Sequence, residues 1–151
     1  MGRLDGKVAI VTGAARGMGE AIVRLFAAEG AAVVIADVLD DEADAVAESI
    51  RTRVVSVHLD VADEASWRAV LAETVDTFGT PDVLVNNAGI LEMSPIVDTS
   101  LDAFHRVIEV DLVGPFLGIK VVGGAMAEAG RGSIVNTSSA AGIIGFSQVG
   151  A

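Results

Sequence analysis

Gly13, Gly17 and Gly19 follow a run of β-formers, Val8-Ala9-Ile10-Val11-Thr12, and lead into an amphipathic stretch that opens at Met18. Without a Cβ, glycine adopts positive φ and lets backbone approach a ligand closely. A helix starting at such a turn offers unpaired N–H groups and the positive end of its dipole, which together seat a pyrophosphate. A lone glycine-rich turn often does no more than pack a helix on a strand. The context here is more specific. Asp37 ends the next β-forming run, 18 residues after Gly19, where a dinucleotide-binding unit places the acid that grips ribose hydroxyls.

In open parallel sheets, ligands bind beyond the carboxyl ends of the strands, at the switch in strand order. Polar or glycine-rich residues follow every candidate strand. Asp60 and Val61 come after the third, Asn86-Asn87-Ala88-Gly89 after the fourth, Ser138 and Ser139 after the fifth. Each alone has a plain structural explanation: Asp60 begins a turn, the asparagine run ends a strand, and a serine caps a loop. Their recurrence at each strand end favours one shared site. A serine nucleophile is not indicated. No GxSxG elbow surrounds Ser139, and His58 and His105 occupy no obvious triad position, so both histidines read as structural.

The elements that position these residues follow from hydrophobic period. Strands are expected at Lys7–Val11, Ala32–Asp37, Val54–His58, Val83–Val85 and Ser133–Thr137. Short, near-continuous apolar runs such as Ala32–Ala36 suit strands buried on both faces. The first helix is expected at Met18–Glu29, with Ile22, Leu25 and Phe26 on its apolar side and Gly30 as its stop. A second runs from near Asp41 to Ile50. A third, Glu64–Phe78, has Asp63 as cap, Trp67, Val70, Leu71, Val75 and Phe78 as one stripe, and Gly79 as its end. A long helix spans about Leu101 to Glu128, kinked by Pro115 and stopped by Gly130 and Gly132. Strand and helix alternate throughout, which predicts an α/β, Rossmann-type doubly wound parallel sheet, cut off after the fifth strand, in a single domain over 1–151.

Composition narrows the function classes. With 52% apolar residues the chain has ample material for a core. The longest apolar candidate, Leu112–Ala127, contains Lys120 and Pro115 and is short for a bilayer, so no membrane role is expected. A net charge of −11 argues against nucleic acid. The acids Asp40, Asp41, Glu42, Asp44 and Glu48 read as a solvated helix face. There is no cysteine, hence no disulfide or thiolate metal site, and the cytoplasm is the expected compartment.

Thr12-Gly13-x-x-x-Gly17-x-Gly19, Asn86-Asn87-Ala88-Gly89 and Ser138-Ser139, in this order and spacing, resemble the short-chain dehydrogenase/reductase family over the whole chain. The run Gly130–Gly142 further resembles its bacterial 3α/20β-hydroxysteroid dehydrogenase branch. The resemblance implies an oxidoreductase that moves a hydride between a nicotinamide cofactor and a small-molecule ketone or secondary alcohol, homo-oligomeric when complete. It implies that Gly13, Arg16, Gly17, Met18 and Gly19 surround the pyrophosphate and adenosine. Asp37, with Val38 beside it, would hold the ribose, favouring NAD over NADP, although a basic Arg16 is the contrary signal. Asp60 and Val61 would border the adenine, Asn87, Ala88 and Gly89 would line the cofactor floor, and Ser139 would bind the substrate oxygen.

Two departures stand out. Relatives carry an asparagine in the long helix where this chain has Asp111, a swap that removes a donor and places a carboxylate, expected to be poorly solvated, near the site. Asp111 is accordingly a structural residue or, alternatively, an acid/base group. Relatives also place a Tyr-x-x-x-Lys pair about 13 residues beyond the active-site serine, on one helical face. That pair would begin at position 152, and this sequence has no tyrosine. The chain is therefore expected to be the N-terminal portion of the enzyme, inactive alone. A dinucleotide-binding fragment or interaction module is the alternative.

Overall fold

The computed structural model describes residues 2–50 and 53–150. Met1 and Ala151, the bounds of the single-domain reading, lie outside that set. Five parallel strands form one sheet in the order β3-β2-β1-β4-β5: β1 Val8–Thr12, β2 Ala32–Asp37, β3 Val54–His58, β4 Val83–Asn86 and β5 Ser133–Asn136. The helices are α1 Gly17–Ala28, α2 Asp40–Ile50, α3 Glu64–Phe78, α4 Leu101–Ile108, α5 Gly114–Gly118 and α6 Gly124–Glu128. The doubly wound α/β sheet expected from the sequence is present, with boundaries displaced by a residue. Thr12 belongs to β1 because it pairs with Ala36, and β4 extends to Asn86, opposite Asn136.

Alternation along the strands divides the core between the two faces of the sheet. Ile10, Val34 and Leu84 point to the layer of α3 and the long helix, with Trp67, Val70, Leu117 and Val122. Val11, Val33, Ile35 and Val85 point to α1 and α2, with Val23, Ala43 and Val46. Every residue of β1 and β2 is buried, as a sheet covered on both sides requires. Trp67 is fully buried and gives its indole N–H to the Val61 carbonyl at 2.9 Å.

Two helix faces differ from expectation. Leu25 is 51% exposed, and α1 instead buries Gly19 and Val23, which lie one turn apart. In α3, Val75 is exposed while Thr74 is fully buried; its hydroxyl donates to the Val70 carbonyl at 2.7 Å, which removes the cost of burying it. The caps are as read. Asp63 accepts from the Ala65 and Ser66 N–H groups, and Gly30, Gly79 and Gly130 close their helices at positive φ. Arg131 and Gly130 donate back to the Met126 and Ala127 carbonyls, the paired closure that satisfies the last orphan acceptors of α6.

The helix Leu101–Glu128 is continuous for 28 residues, long and apolar enough by length and composition to cross a membrane, which the shorter run Leu112–Ala127 did not suggest. Here Leu117, Val121, Val122 and Met126 pack into the core. It is not a simple kinked α-helix. π-turns at Glu109–Val113 and Ile119–Gly123 separate α4, α5 and α6. Pro115 has no N–H to give and crowds the preceding turn, and the first π-turn runs directly up to it, with the Gly114 N–H reaching the Glu109 carbonyl.

At the amino ends of the strands, Asp82 ties the sheet together. Its carboxylate accepts from the Val8 N–H at 3.1 Å, Arg131 Nε at 2.9 Å and Lys7 Nζ at 3.4 Å. Burial pushes the Asp82 carboxyl up, but Arg131, the Val8 N–H and Lys7 together outweigh it and leave it below its ordinary value.

Candidate functional site

The strand order reverses at β1, which has β2 on one side and β4 on the other. A cleft of about 370 Å³ opens beyond the carboxyl ends of these strands, within the range of small-molecule sites. Gly13, Arg16 and Met18 line it from the first turn, Asp37 and Val38 from the end of β2, Asp60 and Val61 from beyond β3, and Asn87, Ala88 and Gly89 from beyond β4.

Gly17 and Gly19 shape this cleft without lining it. Gly13 has φ +61°, and a Cβ there would fall 2.6 Å from Ala88 Cα, so the turn and the β4 loop abut. A Cβ on Gly19 would run into the Gly13 carbonyl and Ala14, and would lie 2.8 Å from Asn87 Nδ2. Gly17 opens α1 at φ +62° with free space where a side chain would stand. That open corner beside the first turn of a 12-residue helix leaves room for an anionic group.

A hydroxyl locks the turn to the floor. Thr12 Oγ1 accepts from the Asn87 and Ala88 N–H groups, each at 3.0 Å, and donates to the Val85 carbonyl at 3.4 Å. Its hydrogen-bonding capacity is then filled. Asn87 Nδ2 donates to the Thr12 and Gly13 carbonyls at 3.0 and 3.1 Å. Its Oδ1 is buried with no partner among the described residues. A buried acceptor left open in a cleft-lining residue is one that a ligand donor would satisfy.

Asp37 is 8% exposed. One carboxylate oxygen accepts from the Ala15 N–H at 2.9 Å, the other from the Leu39 N–H at 3.1 Å. Arg16 is the N-cap of α1, makes no side-chain capping bond and stands exposed at the rim. Asp60 behaves partly as its plain reading supposed: Oδ1 accepts from the Ala62 N–H at 2.9 Å, closing a turn, while the residue also borders the cleft.

Asp111 and Ser139 are not among the cleft residues. Asp111 lies in the first π-turn, and its Oδ1 accepts from the Ile90 N–H at 2.9 Å, next to Gly89. It is exposed, so the expectation of a poorly solvated carboxylate is corrected: the end of the β4 loop holds it where water still reaches. Ser139 caps a short turn at Ala140–Gly142, its Oγ accepting from the Ala141 N–H at 3.2 Å. It follows β5, the neighbour of β4. Three residues before it, at the end of β5, Asn136 Oδ1 accepts from Asn86 Nδ2 at 2.8 Å, which ties the two strand ends together. His58 ends β3, at the opposite edge of the sheet from β5, and pairs with Asp40 at 2.8 Å. Sequence reasoning missed Ala36, Leu39, Leu59 and Val110 as cleft walls. Leu59 was detectable, being the residue between β3 and Asp60; Val110 becomes a wall only through the path of the long helix.

The sheet order, the glycine turn and the acid ending β2 define a dinucleotide-binding α/β fold. A family model described as short chain dehydrogenase matches residues 7–151, and the chain belongs to that family, whose members are oxidoreductases that bind a nicotinamide cofactor. It is 51% identical over 144 residues to a 3-alpha-(or 20-beta)-hydroxysteroid dehydrogenase of Mycobacterium tuberculosis, a match covering 95% of this chain and 55% of that protein. It is 50% identical over 153 residues to a trans-4-hydroxycyclohexanecarboxylate dehydrogenase of Sinomonas cyclohexanicum, covering 95% and 59%. A sorbitol dehydrogenase of Cereibacter sphaeroides is 40% identical over 149 residues, covering 98% and 58%. The chain thus spans little more than half the length of these curated relatives.

Proposed function

We propose that this chain forms the dinucleotide-binding part of an NAD-dependent oxidoreductase that interconverts a ketone and a secondary alcohol. The observation that carries the reading is the cleft at the strand-order switch, closed on one side by a glycine turn and on another by the carboxylate of Asp37. Nicotinamide, when bound, supplies the hydride chemistry. The N–H groups at the start of α1, with Arg16 at the rim, hold the pyrophosphate. Asp37 accepts from the ribose hydroxyls and repels a 2′-phosphate, and Val38 beside it brings no positive charge, which favours NAD. Asp60 and Val61 border the adenine. Asn87, Ala88 and Gly89 form the floor.

Ser139 Oγ holds the substrate oxygen; its hydroxyl can donate to that oxygen while a lone pair keeps the Ala141 N–H. Asp111 keeps the Ile90 N–H in place and so steadies the end of the floor. Exchange of the alcohol proton belongs to a Tyr-x-x-x-Lys pair in the part of the relatives' length that this chain does not span. The relatives' names, a hydroxysteroid, a hydroxycyclohexanecarboxylate and sorbitol, have an alcohol in common, which supports that substrate class and no narrower one. The complete enzyme is proposed to be a homo-oligomer.

Dinucleotide binding without turnover is the second reading, since the glycine turn, Asp37 and the Asn87–Gly89 floor suffice to line a cleft without any chemistry. One assay divides the two. Absorbance change with NAD and a panel of cyclic and open-chain alcohols is followed for the 151-residue chain and for a chain extended with a family-like segment beginning Tyr-x-x-x-Lys at position 152. Turnover by the extended chain and none by the shorter one is the expected result. Full activity of the shorter chain contradicts the proposed division of labour, and an inactive extended chain that binds NAD supports the binding-only reading.

A further inference from the structure

We propose that Asp37 is a positioning residue for the glycine turn, and that it acts on pyrophosphate binding as well as on the ribose. The inference rests on the reading of the cleft as a dinucleotide site. Its basis is that both carboxylate oxygens already have backbone partners: Oδ2 the Ala15 N–H at 2.9 Å, and Oδ1 the Leu39 N–H at 3.1 Å. Ala15 is 3% exposed, so with the carboxylate removed its N–H meets water only if the turn shifts. A buried donor left open costs its full desolvation.

The position of Ala15 gives the bond its effect. It stands between Gly13, pinned to β2 through the Ala36 carbonyl at 2.9 Å, and Arg16, the cap of α1. Asp37 therefore fixes the turn immediately before the helix whose N-terminus faces the cleft. It also takes up the Ala15 N–H, leaving the anion seat to the first-turn amides that follow. Ribose hydroxyls then approach a carboxylate that is already oriented, and use its remaining lone pairs. An asparagine at this position keeps one acceptor and turns an NH₂ toward the other N–H, so it satisfies one backbone partner and repels the second.

The test needs a ligand with the diphosphate but without the ribose hydroxyls. Calorimetry compares ADP and 2′,3′-dideoxy-ADP on the native chain, Asp37→Asn and Asp37→Ala, with amide exchange at Ala15 and at the core residue Val34 read by NMR. If Asp37 positions the turn, Asp37→Ala weakens dideoxy-ADP by about tenfold or more. Ala15 exchange then rises while Val34 stays protected, and Asp37→Asn falls between. If Asp37 only meets the ribose, dideoxy-ADP affinity and Ala15 exchange stay at native values while ADP weakens, and the proposal is overturned. A native chain that binds neither nucleotide defeats the dinucleotide reading instead. Should the variants fail to fold, the native chain still decides: a scalar coupling across the hydrogen bond from Ala15 N to Asp37 Cγ is expected, and its absence removes the basis of the proposal.

Discussion

Asp111 and Asp37 are both acids beside one cleft, and the structure gives them different work. Asp111 is exposed and holds one backbone N–H, that of Ile90. Asparagine retains an acceptor for that bond, so Asp111→Asn should change the urea unfolding free energy by less than about 0.5 kcal/mol. Asp111→Ala removes the acceptor and should cost about 1 kcal/mol. In an extended, active chain, a working acid/base would instead reveal itself as a turnover loss above about a hundredfold in the asparagine variant, with a displaced pH profile. The structural outcome is expected. The identities of these site residues were legible because glycine, acid and asparagine fell at successive strand ends. Their hydrogen-bond partners were not. That Asp37 takes the Ala15 N–H depends on how tightly the first turn closes against β2, which no spacing in the chain specifies.

At the scale of elements, the bounds of α3 match the sequence reading although its buried face does not, because both of its ends carry their own chemical signals. Asp63→Ala removes the acceptor for two first-turn N–H groups and should lower stability by about 1 kcal/mol in thermal or urea unfolding. The long helix was the least legible element. Its apolar residues fit a helical period, but they do not reveal where the period slips, and the two π-turns are such slips. Gly118 shows how closely that helix meets the sheet layer: a Cβ there would lie 2.7 Å from both Asn86 Oδ1 and the Trp67 ring. Gly118→Ala should therefore cost about 1–3 kcal/mol by overpacking. Asp82 makes a pH-dependent contribution. Its folded pKa lies below the ordinary value, so its stabilisation is present above the unfolded pKa of about 3.9 and is lost as the pH falls through the folded value. Asp82→Asn should flatten the acid limb of the stability curve below about pH 4 and reduce stability at neutral pH. Arg131 and Lys7 are about half exposed and can turn to water, which limits that reduction to about 1–2 kcal/mol.

Among the described residues, β3 and β5 are the two edges of the sheet, and β5 is the more exposed. All of β5 is exposed, and Leu112, Phe116 and Ile119 present an apolar stripe on the neighbouring long helix. Contiguous apolar surface of this kind favours association, and an open strand edge adds unpaired backbone groups. The 151-residue chain should sediment as more than a monomer at tens of micromolar, and Phe116→Glu should shift it toward monomer; a native chain that stays monomeric contradicts this. The alternation of strands and helices made the sheet legible in advance, since a parallel crossover has few arrangements. The central claim remains that the cleft at the strand-order switch binds a dinucleotide, and that Asp37 selects which one. Calorimetric titration of the chain with NAD and with NADP tests it most directly. Saturable binding of NAD at one site, tighter than NADP, with the gap narrowed in Asp37→Ala, is the predicted result; tighter binding of NADP, or binding of neither, would contradict it.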